Sequence, residues 1–482
     1  MNRGVRIIKE LSRREIVRET LHAIAGSPCR CPAHSSGILN SSIPPRHRQT
    51  SSDSITTDYA YETFSPSVRI GKGATREVGM DFVNKGVKRV LLFTDKNLIK
   101  LLPFKATADA LRADNVEFDV FSEVRIEPTE KSFREAIHRA QMRQYEGFLA
   151  VGGGSVMDTA KVARLFDAYP EKDFFDFVNK PVGKGEPIFK QLKPLICIPT
   201  TSGTGSETTG VAICQMESIN AKTGFSNRAL CANLAIVDPL NALSMPKNVA
   251  IYSGFDVLCH ALESFTNIRY DNRSPKPLNP LHRPQHQGAN PISDIWAVET
   301  LKIINDNFLG SIESLFDQES SAQMSFASLL AGIGFSSSGV HLCHAISFAL
   351  SGSVKDYCPS DYSNDHPIIP HGLSVVMTAP AVFKEVALVA PDRCIQLAGL
   401  IGANTNNIKT EDAGRCLSDQ LCKIMNRLEI PNGLKSLGFS PEDIPMLVEK
   451  TLPQERITRL YPNKVTSSLL ERILLNSMTV YN

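Results

Sequence analysis

Residues Phe148-Leu149-Ala150-Val151 run without a break into Gly152-Gly153-Gly154, and a segment of helical spacing, Val156–Phe166, follows at once. An apolar run of that length is a buried strand, and a strand feeding a helix through a glycine turn cannot close as a hairpin. The chain must cross over, and the next strand in the sheet then lies parallel. Three more apolar runs of strand length, Lys88–Thr94, Phe118–Phe121 and Leu195–Pro199, alternate with helical segments at Lys96–Asp114 and Ser132–Tyr145. Strands alternating with helices predict a parallel sheet with helices on both faces. Gly71-Lys72-Gly73 reads as a turn, because no apolar strand precedes it.

The texture changes after Asp238-Pro239. No period-2 run appears beyond Pro246, and helical spacing dominates at Gly254–Asn267, Ile292–Asn307, Ala322–Phe335, His341–Leu350, His371–Phe383 and Arg415–Leu428. Four prolines between Arg269 and Asn290 make that stretch an extended loop. The expected organisation is an α/β domain over residues 55–240 and an all-α domain over 241–482.

Residues 1–54 stand apart. The first fifty carry nine Arg/Lys against three Glu, with Ile7, Leu11, Val17, Leu21 and Ile24 at roughly helical spacing and a Ser/Pro-rich tract behind them. That pattern reads as a mitochondrial transit peptide with a disordered leader, which places the protein in the matrix. Cys29, Cys31 and His34 within it are too few for a zinc site. The eleven cysteines are scattered without regular spacing and read as reduced thiols. A net charge of +2 gives no reason to expect nucleic acid as a partner. No apolar run reaches the roughly 20 residues of a membrane helix. The expected partners are small molecules; a homo-oligomer is compatible with the sequence.

Three constellations carry chemistry. Gly152-Gly153-Gly154-Ser155-Val156-Met157-Asp158 lets backbone approach an anion at a helix start, although the Gly-x-Gly-x-x-Gly spacing is missing and a plain tight turn would use the same glycines. Pro199-Thr200-Thr201-Ser202-Gly203-Thr204-Gly205-Ser206-Glu207 follows a strand, so both loops fall at the carboxyl edge of the sheet, where ligands bind. Asp256 and His260 share one helix face at i, i+4. With His344 and His371 they would make a one-carboxylate, three-imidazole set suited to iron(II) or zinc. His282, His286, His341 and His366 compete for the same role.

In this order the three constellations resemble the iron-containing (group III) alcohol dehydrogenase family. The resemblance implies an N-terminal dinucleotide-binding α/β domain with a parallel sheet, an all-α C-terminal metal-binding domain, and hydride transfer between an alcohol and a carbonyl using NAD(H) and a divalent metal. By position it implies Asp256, His260, His344 and His371 as metal ligands acting in catalysis through the metal. It implies cofactor contacts at Asp95, Gly152, Gly153, Gly154, Ser155, Asp158, Thr200, Thr201 and Thr204, with Lys222 near a cofactor-facing lysine. Phe348 stands where many members carry a histidine, so the usual proton relay is missing.

Segments such as Thr56–Ala60, Asn290–Trp296, Gly339–His344 and Thr451–Arg456 match more closely one mitochondrial branch of the family. That likeness implies transfer of hydride from 4-hydroxybutyrate to 2-oxoglutarate, giving succinic semialdehyde and 2-hydroxyglutarate. An acid substrate needs a fixed cation. Arg273 and Arg283, in the loop behind the Asp256 helix, are the expected holders of the distal carboxylate. The alternatives are an ordinary NAD-dependent dehydrogenase and a catalytically silent binding protein on the same fold.

Overall fold

The computed structural model describes residues 57–481 apart from 218–220, 314–316 and 363–365. The transit-peptide reading and the leader cysteines lie outside the described residues. The elements run β1 (Ser67–Ile70), α1 (Val78–Asn84), β2 (Arg89–Phe93), α2 (Leu102–Ala113), β3 (Glu117–Phe121), α3 (Glu130–Gln141), β4 (Gly147–Gly152), α4 (Gly154–Ala168), α5 (Phe174–Phe177) and β5 (Leu195–Pro199). A hairpin, β6 (Val211–Met216) and β7 (Ala221–Ser226), precedes β8 (Leu234–Val237). Helices then follow: α6 (Lys247–Thr266), α7 (Pro291–Glu313), α8 (Gln318–Ser338), α9 (Leu342–Ser351), α10 (His371–Val376), α11 (Ala379–Val386), α12 (Pro391–Leu400), α13 (Ala413–Arg427), α14 (Ile444–Thr451), α15 (Glu455–Thr458) and α16 (Ser467–Asn476).

Six strands form one parallel sheet in the order β1-β8-β5-β4-β2-β3. The chain moves outward from β2 to β3 and then returns to place β4 on the other side of β2. That reversal opens a crevice beyond the carboxyl ends of β2 and β4, the usual ligand position in such sheets. The register sets Gly152 opposite Pro199, so the glycine turn and the hydroxyl-rich loop start side by side. Alternate strand residues feed two cores. Leu91, Phe93, Phe148 and Ala150 pack on one face, and Val90, Leu92, Leu149 and Val151 on the other. Both faces are covered, which is why these strands read as continuous apolar runs.

Several expectations change. A strand, β1, does precede Gly71-Lys72-Gly73; it is an edge strand with three of its four residues exposed, so it lacks the apolar signature. The expected helix Lys96–Asp114 breaks at Leu101, whose extended backbone starts a new helix with Pro103 in its first turn. His371–Phe383 is two helices, α10 and α11, with Pro380 in the first turn of the second. The hairpin β6–β7 and strand β8 were not anticipated from periodicity. Among the described residues no strand follows Val237, and no single helix is long and apolar enough to cross a membrane.

Candidate active site

Asp256 and His260 sit one turn apart on α6, both buried. Gly372 lets α10 press against that helix: a Cβ there would lie 1.9 Å from the Tyr252 carbonyl oxygen and 3.1 Å from the Asp256 Cβ. The close approach delivers His371, the first residue of α10, to Asp256. His344 arrives from α9. One ligand atom each from Asp256, His344 and His371 lies within 4.8 Å of the others. Asp256 Oδ1 is 3.4 Å from His344 Nε2, and 3.8 Å from both His260 Nε2 and His371 Nε2. His260 does not close to the same mutual spacing; its ring stacks on Phe335 at 4.0 Å.

The fit to a cation rests on unused buried atoms. Asp256 Oδ1 and His344 Nε2, which face each other, are buried and make no hydrogen bond. Unpaired buried polar atoms are costly, and a cation between this carboxylate and the imidazole nitrogens near it would relieve that cost. Burial pushes His260 down to about 3 and His371 to about 4, leaving both rings neutral with lone pairs to offer. Burial also pulls on His344, but Glu263 and Asp256 outweigh it and raise that ring to about 9. A bound cation must therefore displace a proton from His344.

Glu263, also on α6, has no role in the sequence reading. Asp256, His260 and Glu263 follow i, i+4, i+7, one helix face, and that spacing was the available signal. Its Oε2 accepts from His344 Nδ1 and its Oε1 from the Cys343 amide at 2.6 Å. The pair holds the proton on Nδ1 and points Nε2 at Asp256. The competing histidines go elsewhere. His341 Nδ1 accepts from the Leu342 amide and its Nε2 pairs with Thr266, so it is a satisfied core residue. His286 lines a cavity but is not grouped with Asp256; neither are His282 and His366.

Two cavities meet at this cluster. A channel of about 440 Å³ is lined by Asp95, Gly153, Gly154, Ser155, Thr200, Thr201 and Thr204, as well as Asp256 and His371. A smaller cavity of about 140 Å³ shares Asp256 and His371 and is lined also by His260, His344, Lys222, Phe348 and Arg456. A Cβ on Gly154 would come within 2.8 Å of the Thr204 methyl, so only glycine lets the two loops meet at the channel. Asp95 accepts from the Asn97 and Leu98 amides through Oδ1.

Three of the expected cofactor residues take other positions. Gly152 lines neither cavity and is the close-packing glycine above Val156. Asp158 lines the small cavity, and its carboxylate is already engaged by Ser206 Oγ and the Ile213 amide. Lys222 also lines the small cavity and is paired with Glu127. Glu127 is held below the ordinary carboxylate range: burial alone would raise it, but Lys222 and His371 more than offset this.

Arg273 and Arg283 are a correction. Both bind Asp58, at 2.7 Å and 3.1 Å, and Arg283 reaches Glu62 at 3.0 Å. Neither lines the small cavity or the channel. They tie the segment at Asp58 to the proline-rich loop, and the acids that claim them lie more than 200 residues away in sequence. That loop does reach the small cavity, but with His286.

Family models match both halves of the chain: iron-containing alcohol dehydrogenase over residues 65–239, and the C-terminal region of the Fe-containing alcohol dehydrogenase family over 285–478. The protein named "Hydroxyacid-oxoacid transhydrogenase, mitochondrial" in Xenopus laevis is 46% identical over 97% of this chain and 99% of its own. The protein of the same name in Homo sapiens is 47% identical over 96% and 97%. Among solved structures, a 1,3-propanediol oxidoreductase superposes with a TM-score of 0.75 at 23% identity, covering 87% of this chain and all of that one, which speaks for the fold. With the sheet, the helical half and the Asp256 cluster in the family's order, the chain belongs to the iron-containing alcohol dehydrogenase family and is an oxidoreductase.

Proposed function

We propose that this enzyme moves hydride from 4-hydroxybutyrate to 2-oxoglutarate, giving succinic semialdehyde and 2-hydroxyglutarate, in the mitochondrial matrix. The observation that carries hydride transfer is the meeting of the long channel with the small cavity at Asp256 and His371. Relatives at 46–48% identity, named as mitochondrial hydroxyacid-oxoacid transhydrogenases, support the acid class and the compartment. In this reading residues 55–240 form the dinucleotide-binding domain and 241–482 the metal-binding domain.

The glycine turn, Ser155, Thr200, Thr201 and Thr204 would hold the pyrophosphate of NAD(H), with Asp95 at the ribose hydroxyls. Asp256, His260, His344 and His371 would hold iron(II), with zinc as the alternative that the same donors admit. A divalent cation there supplies Lewis acidity to the substrate oxygen. Glu263 keeps His344 oriented. Phe335, Val340, Phe348 and Ile457 give the small cavity an apolar wall that excludes water. No histidine stands at position 348, and the Lys222–Glu127 pair is the titratable pair on that wall able to carry the substrate proton.

The test is conversion without added nucleotide. Purified protein given 4-hydroxybutyrate and 2-oxoglutarate should form 2-hydroxyglutarate over many turnovers. Strict dependence on added NAD, with steady NADH release from an alcohol alone, would identify an ordinary dehydrogenase instead.

A further inference from the structure

Two cations line the small cavity, Lys222 and Arg456. Glu127 neutralises Lys222. Arg456, on the short helix α15, has no acidic partner among the described residues; its hydrogen bond there runs to His286 Nδ1 at 3.2 Å. A guanidinium has only donors, so His286 Nδ1 must be the acceptor. The neutral ring then carries its proton on Nε2, and that nitrogen is buried with no partner. His286 is only 4% exposed and lines the same cavity. Burial and the nearby Arg456 and Arg459 hold this imidazole well below its ordinary value, consistent with a neutral donor. A partly buried guanidinium with no acidic partner, beside an unused buried N–H, is an arrangement that an anion would complete.

We propose that Arg456, backed by His286 Nε2–H, anchors the carboxylate of the hydroxy-acid and oxo-acid substrates. The proposal rests on the acid-to-acid reading above and names the group that recognises the acids. One anchor serves both, because the reacting carbon of 4-hydroxybutyrate and that of 2-oxoglutarate are each separated from the distal carboxylate by two methylene groups. Asp256 and Arg456 line the same cavity, so the anchor would select substrate length as well as charge.

Arg456→Gln removes the charge and keeps a donor for His286. In the metal-loaded enzyme it is expected to raise KM for 4-hydroxybutyrate about 10- to 100-fold, the worth of a charge-assisted pair. KM for butan-1-ol should stay unchanged. The preference for 4-hydroxybutyrate over 3-hydroxypropanoate and 5-hydroxypentanoate should disappear. Succinate, which has the same spacing, should bind more weakly by a similar factor in a calorimetric titration that needs no turnover. Arg456→Lys, a charge without the fork, should fall between. If the Gln variant does not fold, Arg456→Lys decides: an unchanged KM for the acid there overturns the proposal, as does wild-type acid and length preference in Arg456→Gln. A wild-type enzyme whose kcat/KM for butan-1-ol equals that for 4-hydroxybutyrate would instead sink the acid-substrate reading, and the anchor with it.

Discussion

Glu263 accepts a hydrogen bond from His344 Nδ1, so the proton that a cation would displace is the one on Nε2, 3.4 Å from Asp256 Oδ1. A single side chain thus acquires its role from a partner some eighty positions earlier. His260 has no such partner on Nδ1 and relies on its stacking against Phe335 for orientation. His260→Ala should therefore drop bound metal well below one per chain and lower kcat by at least about a hundredfold, since Lewis-acid assistance supplies several kcal/mol. Metal analysis and turnover on the same sample check this; full activity in a metal-free variant would refute it. Asp95 makes a second prediction at this scale. Asp95 lines the channel, and with its carboxylate at the ribose, as proposed, it would repel a 2′-phosphate, so NADH should bind more tightly than NADPH, by fluorescence titration. The reverse order would remove Asp95 from the ribose.

At the scale of elements, α4 is fastened to the hydroxyl-rich loop by Lys161, which sequence reading passed over. Its fully buried ammonium donates to the Ser206 carbonyl and hydroxyl, both at 2.7 Å, to Thr209 Oγ1 at 3.3 Å and to the Val211 carbonyl at 2.9 Å. One lysine therefore ties the Ser206–Val211 stretch, directly after the Thr200–Thr204 segment, to the helix that follows the glycine turn. Lys161→Met leaves the Ser206 and Val211 carbonyls unsatisfied and should cost about 2–6 kcal/mol, from roughly 1–3 kcal/mol for each orphaned group. NADH affinity should fall with it. An unchanged denaturation midpoint, with unchanged NADH affinity, would show that the loop holds its place without the lysine. The elements legible in the sequence are those with an apolar run, β2, β3, β4 and β5, or with helical spacing, such as α6. Sequence reading missed β1, whose exposed edge leaves no apolar run, and it joined α10 to α11, because helical spacing continues through the break near Pro380.

At the scale of the whole molecule, a small cavity of about 140 Å³ lies beside the cluster, against a channel of about 440 Å³. With the cofactor in the channel, the hydroxy acid and the oxo acid must occupy the small cavity in turn. Initial rates with both acids varied should then give parallel double-reciprocal lines, the ping-pong pattern, and each acid should inhibit competitively against the other at high concentration. Intersecting lines would mean that both acids are bound together, and would place a second acid site outside this cavity.

Local sequence determined the crossover sheet, the glycine turn and the i, i+4 pair on α6, because strand runs, glycine turns and helix faces are set by residues within a few positions of one another. It also placed four ligand-type residues in order along the chain. Only tertiary structure decided which histidines meet Asp256. His341 and His344 are three residues apart, yet one is spent on Thr266 and the other opens toward the carboxylate. Charge behaves the same way. Arg273 and Arg283 look like free cations until Asp58 and Glu62 claim them, while Arg456, unremarked within its segment, reaches the cavity without an acid. Whether a charge is available depends on what folds against it, and Coulomb partners and desolvation are long-range in sequence.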